Sequence, residues 1–189
     1  MIKKEIRVLG VSFAAPRPRS AERIQVVGVV YRGNRWLEGV MRTTTPPRLA
    51  DLTPGIVKMV TGSPHYPQLR VIALDELITK LGNYVDIETL SKKTRVPVVA
   101  VMLRRISVGR RAKTSVRLPR RILRAFLSLP CRKWSAGNKT FFVYSAGLGK
   151  IDLEELLGIC ASRKGVPEAA RVARMIASSL RKLLFRRAA

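Results

Sequence analysis

The sequence predicts an α/β domain on a mixed sheet, with three antiparallel strands, then a parallel β-α-β unit, flanking helices and basic extensions. Two patterns and one size argument carry this. Three β-rich runs at residues 5–13, 23–32 and 36–44 are joined by short connections, the second of them a Gly33-Asn34 turn, which is the signature of a meander. Two nearly unbroken apolar runs, "QLRVIALDE" at 68–76 and "PVVAVML" at 97–103, flank a helical stretch. Such runs suit strands covered on both faces, joined by a right-handed crossover. At 189 residues, 47% hydrophobic and only 6% aromatic, the chain suffices for one aliphatic core and is short for two. A single domain over 1–189 is expected, with a basic insertion at about 104–139 and a basic C-terminal helix at about 167–187.

The elements between the strands have their own signals. In "ADLTPGIVKMVTGS" Asp51 or Thr53 can cap a helix, Pro54 suits its first turn, Ile56, Val57 and Val60 form one face, and Gly62 ends it. "DIETLSKKT" is a short helix opened by Asp86. In "LPRRILRAFLSLP" Pro119 starts a helix whose inner face is Ile122, Leu123, Phe126 and Leu127. "TFFVYSAG" reads as a strand. "IDLEELLGICASRKG" has Asp152 as N-cap with Glu155 three residues on, and Gly165 as its stop. The last helix, "PEAARVARMIASSLRKLLFRR", is expected to bury Val172, Ile176, Leu180, Leu183 and Leu184. Antiparallel strands followed by alternating helix and strand is the order of a ribonuclease-H-like sheet.

Charge speaks most directly to function. Lys and Arg number 37 against 12 Asp and Glu, a formal net charge of +25. A compact chain so charged repels itself, and a polyanion relieves the repulsion, nucleic acid ahead of an anionic membrane. No run approaches the ~20 apolar residues of a membrane span and the N-terminus lacks a signal-peptide core, so a cytoplasmic protein is expected. Cys131 and Cys160 stand far apart and His65 is the single histidine, which argues against a zinc site. No cofactor is expected. "AGLGK" at 146–150 lacks Walker spacing and reads as a turn, and His65 in "SPHYP" as a turn residue.

The segments "VVGVVYRGNRWLEGVMRTT", "SPHYPQLRVIALDE", "NYVDIETL", "PVVAVMLRR" and "PEAARVARMIAS", in that order, resemble the archaeal domain-of-unknown-function family ninety-nine. Members of that family are similar to endonuclease V, with a ribonuclease-H-like fold. The resemblance implies that the first strand should end Gly-Ile-Asp-Asp-Gly. Here it reads Gly10, Val11, Ser12, Phe13, Ala14, so two carboxylates are replaced by Ser12 and Phe13. Leu74 and Asp75 persist after the fourth strand, while Glu76 replaces a glycine. Hydrolysis assisted by Mg²⁺ needs converging carboxylates, so Asp75 is expected to be a relic, with no metal and no catalysis.

The resulting expectation is a non-catalytic structural RNA-binding protein of the ribosome, partnered by ribosomal RNA and neighbouring ribosomal proteins, with no small-molecule substrate and no membrane. The alternatives are a divergent metal-dependent nuclease acting on deaminated or structured nucleic acid, and a DNA-binding chromatin protein. Expected phosphate contacts are Arg17 and Arg19 on one arm, and Arg104, Arg105, Arg110, Arg111, Lys113 and Arg117 on another. Arg120, Arg121, Arg124, Arg132 and Lys133 continue this set, and Arg171, Arg174, Arg181, Lys182, Arg186 and Arg187 ring the last helix. Trp134 is expected to stack on an unpaired base, with Tyr66 a lesser candidate and Trp36 assigned to the core.

Overall fold

A computed structural model describes residues 5–16, 22–46, 51–79, 82–106, 120–149, 151–162 and 164–185. Its strands are β1 (Arg7–Ala14), β2 (Ile24–Arg32), β3 (Trp36–Thr45), β4 (Leu69–Leu74), β5 (Val98–Met102), β6 (Cys131–Ala136) and β7 (Lys139–Ala146). Its helices are α1 (Thr53–Thr61), α2 (Ile87–Thr94), α3 (Arg120–Ser128), α4 (Leu153–Cys160) and α5 (Glu168–Phe185). All seven strands form one sheet in the order β3-β2-β1-β4-β5-β7-β6. The predicted meander is there, with β1 antiparallel to β2 and β2 to β3. β1–β4 and β4–β5 are parallel, and β7 and β6 close the far edge antiparallel.

Alternation along the central strands sorts the core into two layers. On one face Leu9, Val11, Phe13, Ile72 and Leu74 meet Ile56 and Val60 of α1, Ile87 and Leu90 of α2, and Phe126 of α3. On the other, Val8, Val71, Ala73, Val99 and Val143 meet Leu153, Leu156 and Leu157 of α4 and Ala169 and Ala170 of α5. Caps explain the shorter helices. Asp86 accepts from the Thr89 amide, and Asp152 from the amides of Glu154 and Glu155. Asp51 takes the Thr53 amide, Pro54 lies in the first turn of α1, and Gly62 caps its end.

Four features depart from the sequence reading. β6 was not expected, because "CRKWSA" is too polar to read as a strand. It pairs all along β7, so part of the presumed insertion belongs to the sheet. α4 stops at Cys160 rather than near Gly165, since Ala161 leaves the helix in extended geometry and bridges Pro167. Leu127 of α3 is exposed.

The fourth departure concerns α5, which turns a different face to the sheet. Its fully buried residues are Ala169, Ala170, Ala173 and Ala177, with Val172, Ile176 and Leu180 at the margin, while Leu183 and Leu184 are exposed. The cause lies in β1: a Cβ on Gly10 would stand 2.0 Å from the carbonyl carbon of Ala169. A bare backbone at Gly10 opposite alanines lets the helix axis approach the sheet closely, which large side chains would prevent.

Candidate functional site

That close approach builds the site. Val11 is in register with Leu74 across the parallel β1–β4 pair, so Ser12 and Asp75 leave the C-terminal ends of adjacent strands together. Gly10 and Ala73 point towards α5, and period-two alternation puts Ser12 and Asp75 on that same side. Asp75 Oδ2 accepts from Ser12 Oγ at 2.8 Å and from Arg174 Nε of α5, also at 2.8 Å. The Asp75 side chain is 7% exposed and that of Arg174 is 50% exposed. Asp75 Oδ1 is buried with no hydrogen-bond partner.

The electrostatics are set by this burial. Desolvation pushes the Asp75 carboxyl above its ordinary value, against the pull of the Arg174 charge and the hydrogen bonds from Arg174 and Ser12. Phe13 points the opposite way into the core, so of the two replaced positions only Ser12 shares a face with Asp75.

A divalent ion needs several converging oxygens. Among the described residues no group of three or more His, Cys, Asp or Glu side chains gathers to hold one. At Asp75 one oxygen is taken by Ser12 and Arg174 and the other is sealed from solvent. The described residues do not fit a resident metal.

Arg104, Arg105, Arg120, Arg121, Arg124, Arg132 and Lys133 are exposed, around the β5 end, α3 and the edge strand β6. Arg181 and Lys182 are exposed on α5, while Arg171 is half-buried and paired with Glu168. Arg17, Arg19, Arg110, Arg111, Lys113, Arg117, Arg186 and Arg187 lie outside the described residues.

One aromatic assignment is corrected, that of Trp36. Trp134 is half-buried against the core, with a buried Nε1. Trp36 is 53% exposed on the edge strand with Arg35 over its ring, not in the core. Tyr66 donates to the Thr94 carbonyl, and the His65 amide donates to Ser63 Oγ within a turn.

What sequence reasoning missed is the role of Arg174, read only as one of the cations ringing the last helix. It lies 99 residues beyond Asp75, and only the spacing Ala170–Arg174, one helical turn from a buried alanine, hinted at its direction.

A seven-strand mixed sheet layered by helices, with an aspartate at the end of a central strand, defines a ribonuclease-H-like α/β protein. The family described as endonuclease dU matches residues 4–181, and the chain belongs to that family. A UPF0215 protein of Methanothermobacter thermautotrophicus is 36% identical over 95% of this chain and 89% of its own length. One from Methanopyrus kandleri is 34% identical over 96% and 94%.

Among solved structures, a protein of unknown function from Archaeoglobus fulgidus superposes with TM-score 0.72 at 23% identity, covering 93% of this chain and 98% of that one. Endonuclease V of Bacillus subtilis gives 0.65 at 12% identity, covering 94% and 81%. Endonuclease V of Ciona intestinalis, solved with DNA containing an inosine followed by a ribo-adenosine, gives 0.64 at 14%, covering 96% and 88%. The expected likeness to endonuclease V is met in fold.

The expectation of a non-catalytic ribosomal protein is overturned. The family is described as an endonuclease and several structural neighbours are endonucleases V, which points to an enzyme, and neighbours solved with DNA replace ribosomal RNA and ribosomal proteins as the guide to partners. Replacement of two carboxylates by Ser12 and Phe13 does not by itself establish loss of catalysis. No helix among the described residues is long and apolar enough to cross a membrane.

Proposed function

We propose that this chain is an endonuclease that cuts the phosphodiester backbone of DNA carrying a deaminated base, deoxyuridine first among them, with Asp75 at its centre. The supporting observation is the placement of Asp75: a buried carboxylate beside Ser12, at the C-terminal ends of adjacent parallel strands, where open α/β sheets bind their ligands. Family membership supplies the reaction class, and its description points to deoxyuridine. Deoxyuridine and inosine, the latter present in the DNA bound by the Ciona enzyme, are both products of hydrolytic deamination.

The basic end of the sheet supports the same reading. Arg104, Arg105, Arg120, Arg121, Arg124, Arg132 and Lys133 would grip phosphates either side of the lesion, leaving recognition of the base to the centre.

The test uses end-labelled duplex and single-stranded oligonucleotides carrying one deoxyuridine, one deoxyinosine or neither, incubated with Mg²⁺, Mn²⁺ or EDTA. Nicking confined to the lesion-bearing strand and abolished in a folded Asp75→Ala variant is the expected result. Absence of nicking under every condition, or nicking that Asp75→Ala leaves unchanged, overturns the proposal.

A further inference from the structure

We infer that the guanidinium of Arg174 is the phosphate-receiving cation of the Asp75 centre, a tethered organic charge in the position where a metal-using site would hold its ion. This rests on the reading of the centre as a nucleic-acid site and adds to it the group that meets the backbone.

The carboxylate is arranged to hold this cation rather than to share an ion. Oδ2 is shared between Ser12 Oγ and Arg174 Nε, and Oδ1 has no path to solvent, so an incoming ion would first have to expel the arginine. No cluster of donors among the described residues repays that displacement.

The arginine is held at its inner edge alone. Nε is the atom in contact with Asp75, and the side chain is half exposed while its partner is almost wholly covered. The contact with Asp75 is made through Nε and leaves the Nη1 and Nη2 groups as the outer edge of the fork. Two parallel N–H donors on a planar fork match two oxygens of a phosphodiester, and an anchored fork loses little rotamer freedom on binding.

The surroundings keep the fork open. One turn back on α5, Arg171 is occupied by Glu168, which removes that acid from competition for Arg174. On the sheet side Ala170, Ala173 and Ala177 are too short to cover the guanidinium.

Fluorescence anisotropy with a labelled single-stranded deoxyuridine oligonucleotide in EDTA measures the contact without cleavage. Wild type is expected to bind, and Arg174→Met to bind about tenfold more weakly. Arg174→Lys conserves net charge but lacks the fork. It is expected to recover only part of the loss, whereas simple charge attraction would restore it fully. Melting in millimolar Mn²⁺ without DNA is expected to leave wild type unshifted.

Equal binding by wild type and Arg174→Met, full recovery in Arg174→Lys, or an Asp75-dependent stabilisation of wild type by Mn²⁺ each overturns the inference. A failure of the cleavage assay alone does not touch it, and binding that ignores Arg174 would sink it even in an active nuclease.

Discussion

On the proposed function, Asp75 carries a conflict between stability and function inside one residue. Because burial raises its folded-state pKa, the folded protein holds the Asp75 proton more tightly than the unfolded chain does. Stability therefore declines as pH rises from the ordinary carboxylate range through the raised value, and Asp75→Asn removes that decline. The variant is expected to melt at or above wild type at pH 7, with the advantage shrinking towards pH 4, as thermal melts across that range would show.

Glu38 has the opposite sign. Burial raises its pKa, but hydrogen bonds and charges from Arg32 and Arg7 outweigh this and hold it below the usual value. It contributes stability above its unfolded pKa and loses it as pH falls through the folded one. A Glu38→Gln protein should melt below wild type at neutral pH and converge with it near pH 3.

Cysteine chemistry divides similarly. Burial pushes the Cys160 thiol up to about 12, so in the native protein it should resist a thiol reagent that labels the half-exposed Cys131, and react only once guanidinium unfolds the chain. Mass spectrometry of the labelled peptides reads both sites.

Elements were legible where a local rule fixed them and illegible where a distant partner did. The meander follows from alternation and Gly33, which takes a positive φ of 58° in the turn, and α2 and α4 follow from Asp86 and Asp152. β6 was hidden because Arg132, Lys133 and Ser135 give an edge strand whose exposed positions are as polar as a loop. The facing of α5 was hidden for a different reason. Hydrophobicity favours the leucines near its end, but close packing on Gly10 favours its alanines, and the tertiary constraint prevails. The Asp75 centre inherits that blindness: strand alternation, which a sequence shows, sets the face of Ser12 and of Asp75, but the sequence shows neither the β1–β4 register that joins them nor the helix–sheet distance that adds Arg174.

The same distance can be tested. Gly10→Ala puts a methyl group into the Ala169 backbone, which cannot swing aside as a side chain would. It should cost about 3 kcal/mol, at the upper end of overpacking penalties, measured by urea denaturation. Asp86→Ala, which removes only a cap, should cost about 1 kcal/mol in the same experiment.

At the scale of the whole molecule, charge is distributed unevenly along the chain and across the sheet. No acidic residue occurs between Glu88 and Asp152, and this stretch supplies β5, α3, β6 and β7 at one end of the sheet, whereas the Asp75 centre lies at β1 and β4. On the proposed function, most of the affinity and the chemistry fall in different places.

A backbone grip of this kind releases counterions, so log K for DNA should fall with log salt by about 0.9 per phosphate contacted. Replacing Arg120, Arg121 and Arg124 on α3 by Ala should flatten that slope by about 2 to 3 units, and weaken deoxyuridine-bearing and undamaged DNA equally. These side chains are exposed, so the melting temperature should hardly move. Arg174→Met, which alters one contact, should shift the slope by no more than about 1. Anisotropy titrations at four salt concentrations decide the matter: an unchanged slope in the triple variant would mean that the basic end faces solvent and that DNA is held elsewhere.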